Sequence, residues 1–176
     1  EQILSHARSS FNEKYLGKTL SWSQEASFNR GSFATILGLI DHGPTVEIFS
    51  VGDSVAMWKQ NDKLTMLSMH NNYNFNKKPT LLSTLCSEKE SFFSNFGKDW
   101  DVKKLKKKEI KNDELFLLTD AVASRIIEIS IQNTVDDAIN ILKKNDQELK
   151  AWINKEKNSG LLKKDDYTIV WVELNE

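Results

Sequence analysis

The run Leu115–Leu118 is the feature that most limits how this chain can fold. Its four consecutive apolar residues lie between Glu114 and Thr119-Asp120, and such a short, uninterrupted run is typical of a strand buried on both faces. Residues 121–129 then combine helix formers with an apolar stripe at helical spacing. Asp120 is therefore predicted to lie where a core strand ends and a helix begins. Two roles are open for it, a helix N-cap or a functional carboxylate held at the rim of a sheet.

A second stretch near the C-terminus bears on that choice. Lys163-Lys164-Asp165-Asp166 leads directly into residues 167–174, which are β-branched and aromatic and so predict a strand. If the two strands are antiparallel neighbours, Asp120 and Asp165 meet at one edge of a sheet. Clustered carboxylates repel one another, and they either raise a pKa or bind a hard cation such as Mg²⁺ or Mn²⁺.

Composition limits the classes of function. A chain of 176 residues fits one domain with a proper core, and its formal charge of -1 provides no field to attract nucleic acid or an acidic membrane surface. The sequence contains no run of eighteen apolar residues, so no membrane span is predicted. The single cysteine, Cys86, excludes an intrachain disulfide and a CxxC zinc site, so we expect a reducing, cytoplasmic location and a core role for Cys86.

The order of the predicted elements indicates an α+β fold. Strands joined by hairpins come first, helices follow, and a final strand returns, which differs from an alternating βαβ pattern. We predict a helix over 2–15, an irregular stretch over 17–30 anchored by Trp22 and Phe28, and strands over 31–40, 45–51, 55–60, 63–67 and 115–118. We also predict a helix that begins near Asp120, two helices capped by Thr134 and Asp146, and a last strand over 167–174.

Three segments between these elements have both an ordinary and a functional interpretation. Gly52-Asp53 is predicted to be a tight turn or bulge with a structural role. Residues 69–96 predict a long loop packed by its own side chains, of the kind that often forms a lid, and His70 within it is expected to be solvated. The lysine-rich run 103–108 predicts a solvated edge strand, with a nucleic-acid surface as the weaker alternative.

Four segments lie in order beside predicted strands of this chain. They are Gly31-Ser32-Phe33-Ala34, Val51-Gly52-Asp53-Ser54-Val55-Ala56, Leu118-Thr119-Asp120-Ala121 and Asp165-Asp166-Tyr167-Thr168. They resemble the motifs Gly-Ser/Thr-x-Ala, Val-Gly-Asp-Ser-x-Ala, Thr-Asp-Gly and Asp-Asn-x-Thr of the metal-dependent Ser/Thr protein phosphatases of type 2C, in their bacterial-type branch.

The resemblance implies two packed antiparallel sheets flanked by helices, an α-β-β-α sandwich formed by residues 1–176 as one partial domain. It implies two Mn²⁺ or Mg²⁺ ions and a metal-bridging hydroxide that hydrolyses phosphoserine or phosphothreonine on a protein substrate. Asp120 and Asp165 match metal ligands, whereas Asp166 stands where the family often has Asn and receives no ligand role. Gly52 and Asp53 match a structural turn near the site, and 69–96 matches a variable flap.

Two departures from the family pattern matter. Ala121 replaces the Gly that follows the metal-binding Asp, and the sequence Asp-Gly, which provides the bridging carboxylate, occurs nowhere in the chain. We therefore expect a fold that lacks its N-terminal strands, which an N-terminal fragment or a companion chain would complete. The alternative is a non-catalytic phosphatase-like module that binds a partner.

Overall fold

The computed structural model describes residues 2–67, 81–83 and 101–174, and these form an α+β fold. The helices within these ranges are α1 (Gln2–Glu13), α2 (Trp22–Arg30), α3 (Asp120–Gln132), α4 (Val135–Leu142) and α5 (Asp146–Asn158). The strands are β1 (Phe33–Ala34), β2 (Ile36–Asp41), β3 (Thr45–Val51), β4 (Val55–Gln60), β5 (Lys63–Leu67), β6 (Leu82–Ser83), β7 (Asp101–Lys106), β8 (Glu114–Leu118) and β9 (Ile169–Glu173). The predicted fold class is confirmed at this level.

All strand pairs in these ranges are antiparallel. They form a four-stranded sheet in the order β5-β4-β8-β9, a three-stranded sheet in the order β2-β3-β7, and a small pair of β1 with β6. The strand predicted over 31–40 is divided, because Thr35 separates β1 from β2 and each pairs with a different partner. In the four-stranded sheet, β8 lies between β4 and β9.

The core has two layers because side chains alternate across the four-stranded sheet. Met57 and Phe116 point to one face and pack against α3 and α4. Trp58 and Leu115 point to the other face and pack against Val46 and other residues of the three-stranded sheet. The four-stranded sheet therefore lies between a helical layer and a second sheet, an arrangement compatible with an α+β sandwich.

The N-terminal segment differs from the prediction at one point. The irregular stretch expected over 17–30 is confirmed only as far as Ser21, because α2 occupies Trp22–Arg30. The helix begins with a capping box, in which the Ser21 backbone N–H donates to Gln24 Oε1 at 2.9 Å. Phe28 is an anchor as predicted, since its ring stacks on that of Phe11 with centroids 5.6 Å apart. Trp22 is not an anchor, because 85% of it is exposed.

Two helices of the C-terminal block begin at side-chain caps. Thr134 caps α4 as predicted, with its Oγ1 accepting from the Asp137 N–H at 3.1 Å. Asp146 was predicted to cap α5 but is its first residue, since Asn145 Oδ1 accepts from the Glu148 N–H at 3.0 Å instead. None of the helices in the described part of the chain is long and apolar enough to cross a membrane.

The lysine-rich run has mixed environments. Lys104 and Lys106 on β7 are exposed at the edge of the three-stranded sheet, as predicted. Lys103 instead lies over the Trp58 ring, with Nζ 4.9 Å from its centroid. Lys107 is in a short 3₁₀ turn, and its Nζ lies 3.0 Å from Asp41 Oδ2. The run is therefore only partly the solvated edge strand that was predicted.

Most of the loop predicted over 69–96 lies outside the described residues, as do His70 and Cys86. Its described part, 81–83, includes β6, which pairs with β1. Leu82 is buried and packs with Val51 at the end of β3. This part of the predicted loop therefore packs on the body of the fold.

Candidate metal-binding site

The two acidic segments lie side by side because β8 and β9 are antiparallel neighbours, which is the condition under which Asp120 and Asp165 were expected to meet. Leu118 at the end of β8 pairs with Ile169 at the start of β9. One residue further, the Thr119 backbone N–H donates to the Thr168 carbonyl at 3.2 Å. The Thr168 backbone N–H in turn donates to Thr119 Oγ1 at 3.1 Å. These bonds extend the antiparallel contact past the strands to the positions that carry the acids.

Thr119, not Asp120, is the N-cap of α3. Its hydroxyl makes no capping bond to the helix and donates instead to the Asp166 carbonyl at 3.2 Å. Asp120 is the first residue of α3, so the N-cap role considered for it is wrong. A carboxylate at this position is favoured by the partial positive charge of the helix N-terminus.

Asp120 and Asp165 converge on one ammonium group. Lys163 Nζ lies 3.3 Å from Asp120 Oδ2 and 3.5 Å from Asp165 Oδ2. The Asp120 side chain is 13% exposed and that of Asp165 is 45% exposed. Asp120 is thus nearly buried at the rim of the sheet, and Asp165 lies on the solvent side of the same ammonium group. The hydrogen bond to Asp120 is the main cause that raises the pKa of Lys163 above 10.5, which keeps the ammonium charged.

The Tyr167 hydroxyl holds the loop that carries Asp165. It donates to the Lys163 carbonyl at 2.6 Å and accepts from the Asp165 N–H at 3.4 Å. Lys157 Nζ on α5 lies 5.5 Å from the centre of the Tyr167 ring. The Asp166 N–H donates to Asp165 Oδ1 at 2.9 Å. These contacts fix the path of the loop and orient the Asp165 carboxylate.

The Gly52-Asp53 bend lies at the same end of the four-stranded sheet, because Val55 just after it pairs with Leu118. Gly52 has a φ of 108°, a region that favours glycine. A Cβ at this position would lie 2.3 Å from Thr35 Cγ2. The positive φ and the close packing against Thr35 both favour glycine at position 52, in agreement with the predicted structural role. Asp53 is half-buried in the same bend.

Ala121 departs from the family pattern, yet the fold accommodates it. It is the second residue of α3 and is 3% exposed. The non-glycine residues with positive φ in the described ranges are Asn61, Asp62 and Asn112. Ala121 is not one of them, so the turn into α3 does not need a glycine conformation.

Asp120 and Asp165 can provide two ligands to a divalent cation. Carboxylate oxygens are the ligands that Mg²⁺ and Mn²⁺ prefer, and the Lys163 ammonium shows that the two groups already share a positive charge. Within the described ranges, no group of three or more His, Cys, Asp or Glu residues could hold a metal ion. The pair therefore fits part of a metal site, and further ligands are needed to complete one.

Sequence reasoning identified both acids but missed three residues that organise them. Lys163, Thr119 and Tyr167 were seen only as parts of segments, and their hydrogen bonds depend on tertiary contacts. The sequence contained one signal for two of them, their closeness to the acids. Lys163 precedes Asp165 by two positions, and Thr119 directly precedes Asp120.

Comparisons with known proteins provide no family assignment. A scan against models of protein families found no match for this sequence. A search of curated proteins also found no match. The interpretation of the site therefore depends on the order of the four motifs and on the geometry above.

Proposed function

We propose that this chain is part of a metal-dependent phosphatase of the type 2C kind, which hydrolyses phosphoserine or phosphothreonine on proteins. The observation that carries the proposal is the convergence of Asp120 and Asp165 on one cation, Lys163 Nζ, at the end of the buried strand β8. Two carboxylates that are distant in sequence meet there, at the positions that the resemblance gives to metal ligands.

The roles of the residues follow from their positions. Asp120 provides a rigid oxygen ligand, because its backbone is fixed by the end of β8 and the start of α3. Asp165 provides the second ligand from a loop that the Tyr167 hydroxyl ties down. Thr119 joins the two segments that carry the carboxylates.

When bound, a pair of Mn²⁺ or Mg²⁺ ions supplies a nucleophile from water and neutralises the charge that develops on a transferring phosphoryl group. In such a site the two carboxylates would bind the metal ions, and other groups would bind the phosphate of the substrate. We propose that the remaining ligands come from a further segment or from a companion chain.

The test is phosphatase activity of the complete protein, with p-nitrophenyl phosphate and a phosphothreonine peptide as substrates. We expect Mn²⁺-dependent hydrolysis that is lost on chelation and in Asp120→Asn. Asp166→Asn is the matched control, because it makes the same change of charge at an exposed neighbour of Asp165. An Asp120→Asn protein with full activity would refute the proposal.

A second candidate is a non-catalytic module that binds a partner protein. It is favoured by Lys163, because its ammonium lies beside both Asp120 and Asp165 and balances part of their charge, as a structural ion pair would. In that case the complete protein has no Mn²⁺-dependent activity, and Asp120→Asn and Asp165→Asn alter its stability but not its response to Mn²⁺.

A further inference from the structure

We propose that Lys163 competes with the divalent cation for Asp120 and Asp165, so that metal loading requires its side chain to leave the site. This inference deepens the proposed function and depends on its metal site. Lys163 would then set the concentration of Mn²⁺ or Mg²⁺ at which the site fills.

The first argument is the identity of the contacted atoms. Lys163 Nζ contacts Oδ2 of Asp120 and Oδ2 of Asp165. A Mg²⁺ ion binds carboxylate oxygens at about 2.0–2.1 Å, which is closer than either of these contacts. A cation that bound both oxygens would lie between them, where the ammonium now lies. The two positive charges would also repel one another at that distance.

The second argument is that the Lys163 side chain can leave while its backbone stays in place. The side chain is 63% exposed, so an alternative position in solvent is available. Its carbonyl is held by the Tyr167 hydroxyl at 2.6 Å, and Leu162 before it is buried. The loop therefore keeps Asp165 near Asp120 when the ammonium moves away.

The third argument concerns the size of the effect on metal affinity. Loading the metal breaks two partly exposed ion pairs, and such pairs contribute little individually. Their combined loss corresponds to a roughly 2- to 30-fold reduction in metal affinity. The competition therefore adjusts the affinity of the site and does not abolish binding.

The test is isothermal titration of the complete protein with Mn²⁺, comparing Lys163→Met with Lys164→Met. Lys164 is an exposed neighbour with the same charge, and the ion pairs of Asp120 and Asp165 in the described ranges do not include it. We expect Lys163→Met to bind Mn²⁺ roughly 10-fold more tightly than wild type. Lys164→Met is expected to stay within about twofold of wild type, because solvent screens its charge.

A second readout follows the amine itself. Acetic anhydride acetylates a lysine amine more readily when the amine is free than when it is held in ion pairs, and mass spectrometry reports the rate at each position. Adding Mg²⁺ to the wild-type protein is expected to increase acetylation of Lys163, with no change at Lys164. Acetylation of Lys163 that does not respond to saturating Mg²⁺ would overturn the proposal.

The titrations distinguish failure of the proposed competition from failure of the metal site itself. Equal Mn²⁺ affinities for wild type, Lys163→Met and Lys164→Met would overturn the competition and leave the metal site intact. Weaker binding by Lys163→Met would overturn it too, because Lys163 would then support the site. If neither wild type nor Lys163→Met binds Mn²⁺, the metal site itself is refuted, and the competition with it.

Discussion

Thr119 and Thr168 exchange two hydrogen bonds across the ends of β8 and β9. The Thr119 N–H donates to the Thr168 carbonyl, and the Thr168 N–H donates to the Thr119 hydroxyl oxygen at 3.1 Å. One of these bonds depends on a side chain, so the identity of residue 119 determines it. This link places Asp120 and Asp165 together, because each lies within three residues of one of the two threonines.

Thr119→Val tests this link, since it keeps the shape of the side chain and removes the hydroxyl. The bonds to the Asp166 carbonyl and the Thr168 N–H are lost. We expect a loss of about 1–3 kcal/mol in the free energy of unfolding, measured by urea denaturation. Thr119→Ser, which retains the hydroxyl, should lose less than half as much. Equal losses for the two variants would show that the hydroxyl has no structural role.

Gly52→Ala tests the packing of the bend near the site. The change combines backbone strain at a φ of 108° with a clash against Thr35. We expect a loss of about 2–5 kcal/mol of unfolding free energy. Gly43→Ala is the control, because it has a φ of 83° but no atom within 4 Å of the new Cβ; it should cost about 1–2 kcal/mol. Similar costs at the two glycines would argue against the clash.

Arg125 and Glu156 form a buried ion pair that joins α3 to α5. Arg125 Nε lies 2.6 Å from Glu156 Oε2, with both side chains at most 10% exposed. Glu156→Gln should cost about 1.5–3 kcal/mol of stability, because Arg125 loses its buried counter-charge and keeps only the half-exposed Glu128. Glu128→Gln, which removes a half-exposed partner of the same arginine, should cost under about 1 kcal/mol. Thermal or chemical denaturation measures both, and the reverse order of costs would contradict the assignment.

The pair of Asp41 and Lys107 predicts a response to acid. The hydrogen bond from Lys107 is the main cause that lowers the pKa of Asp41 below 3.8, with a further contribution from the Gly43 N–H. Because the folded pKa is depressed, the stabilisation is present above pH 3.8 and is lost as the pH falls through the folded pKa.

Carboxyl NMR of Asp41 during an acid titration measures this shift. We expect a midpoint below 3.8 in wild type that moves upward in Lys107→Met. Lys106→Met, at an exposed neighbouring position, should leave the midpoint in place. An unshifted midpoint in the wild-type protein would contradict the prediction.

The parts of the fold that were predictable from sequence depend on local pattern. The apolar run 115–118 predicted a strand buried on both faces, and Leu115 and Phe116, which point to opposite faces of β8, are both fully buried. Thr134 predicted a helix start, since an N-cap needs only its own neighbours in the chain. Asp120 and Asp165 were expected to meet if these two strands were antiparallel neighbours, and the register of β8 with β9 shows that they are.

The parts that were missed depend on contacts between distant residues. The helix α2 was overlooked because its sequence is polar, and its contact with α1 depends on the stacking of Phe28 on Phe11. The position of Lys163 between two carboxylates was also missed, because Lys163 and Asp120 are separated by 43 positions and meet only through tertiary structure. A lysine in a polar stretch has no local signature for such a role.

The central claim is that Asp120 and Asp165 bind one shared divalent cation, and isothermal titration with Mn²⁺ tests it most directly. Each of Asp120→Asn and Asp165→Asn is predicted to weaken Mn²⁺ binding at least roughly 10-fold. Asp166→Asn, which changes the same charge one residue away, should remain within about threefold of wild type, because solvent screens an exposed charge that does not ligate the ion. If Asp165→Asn binds Mn²⁺ as the wild type does while Asp120→Asn does not, the two acids do not share an ion and the account is contradicted.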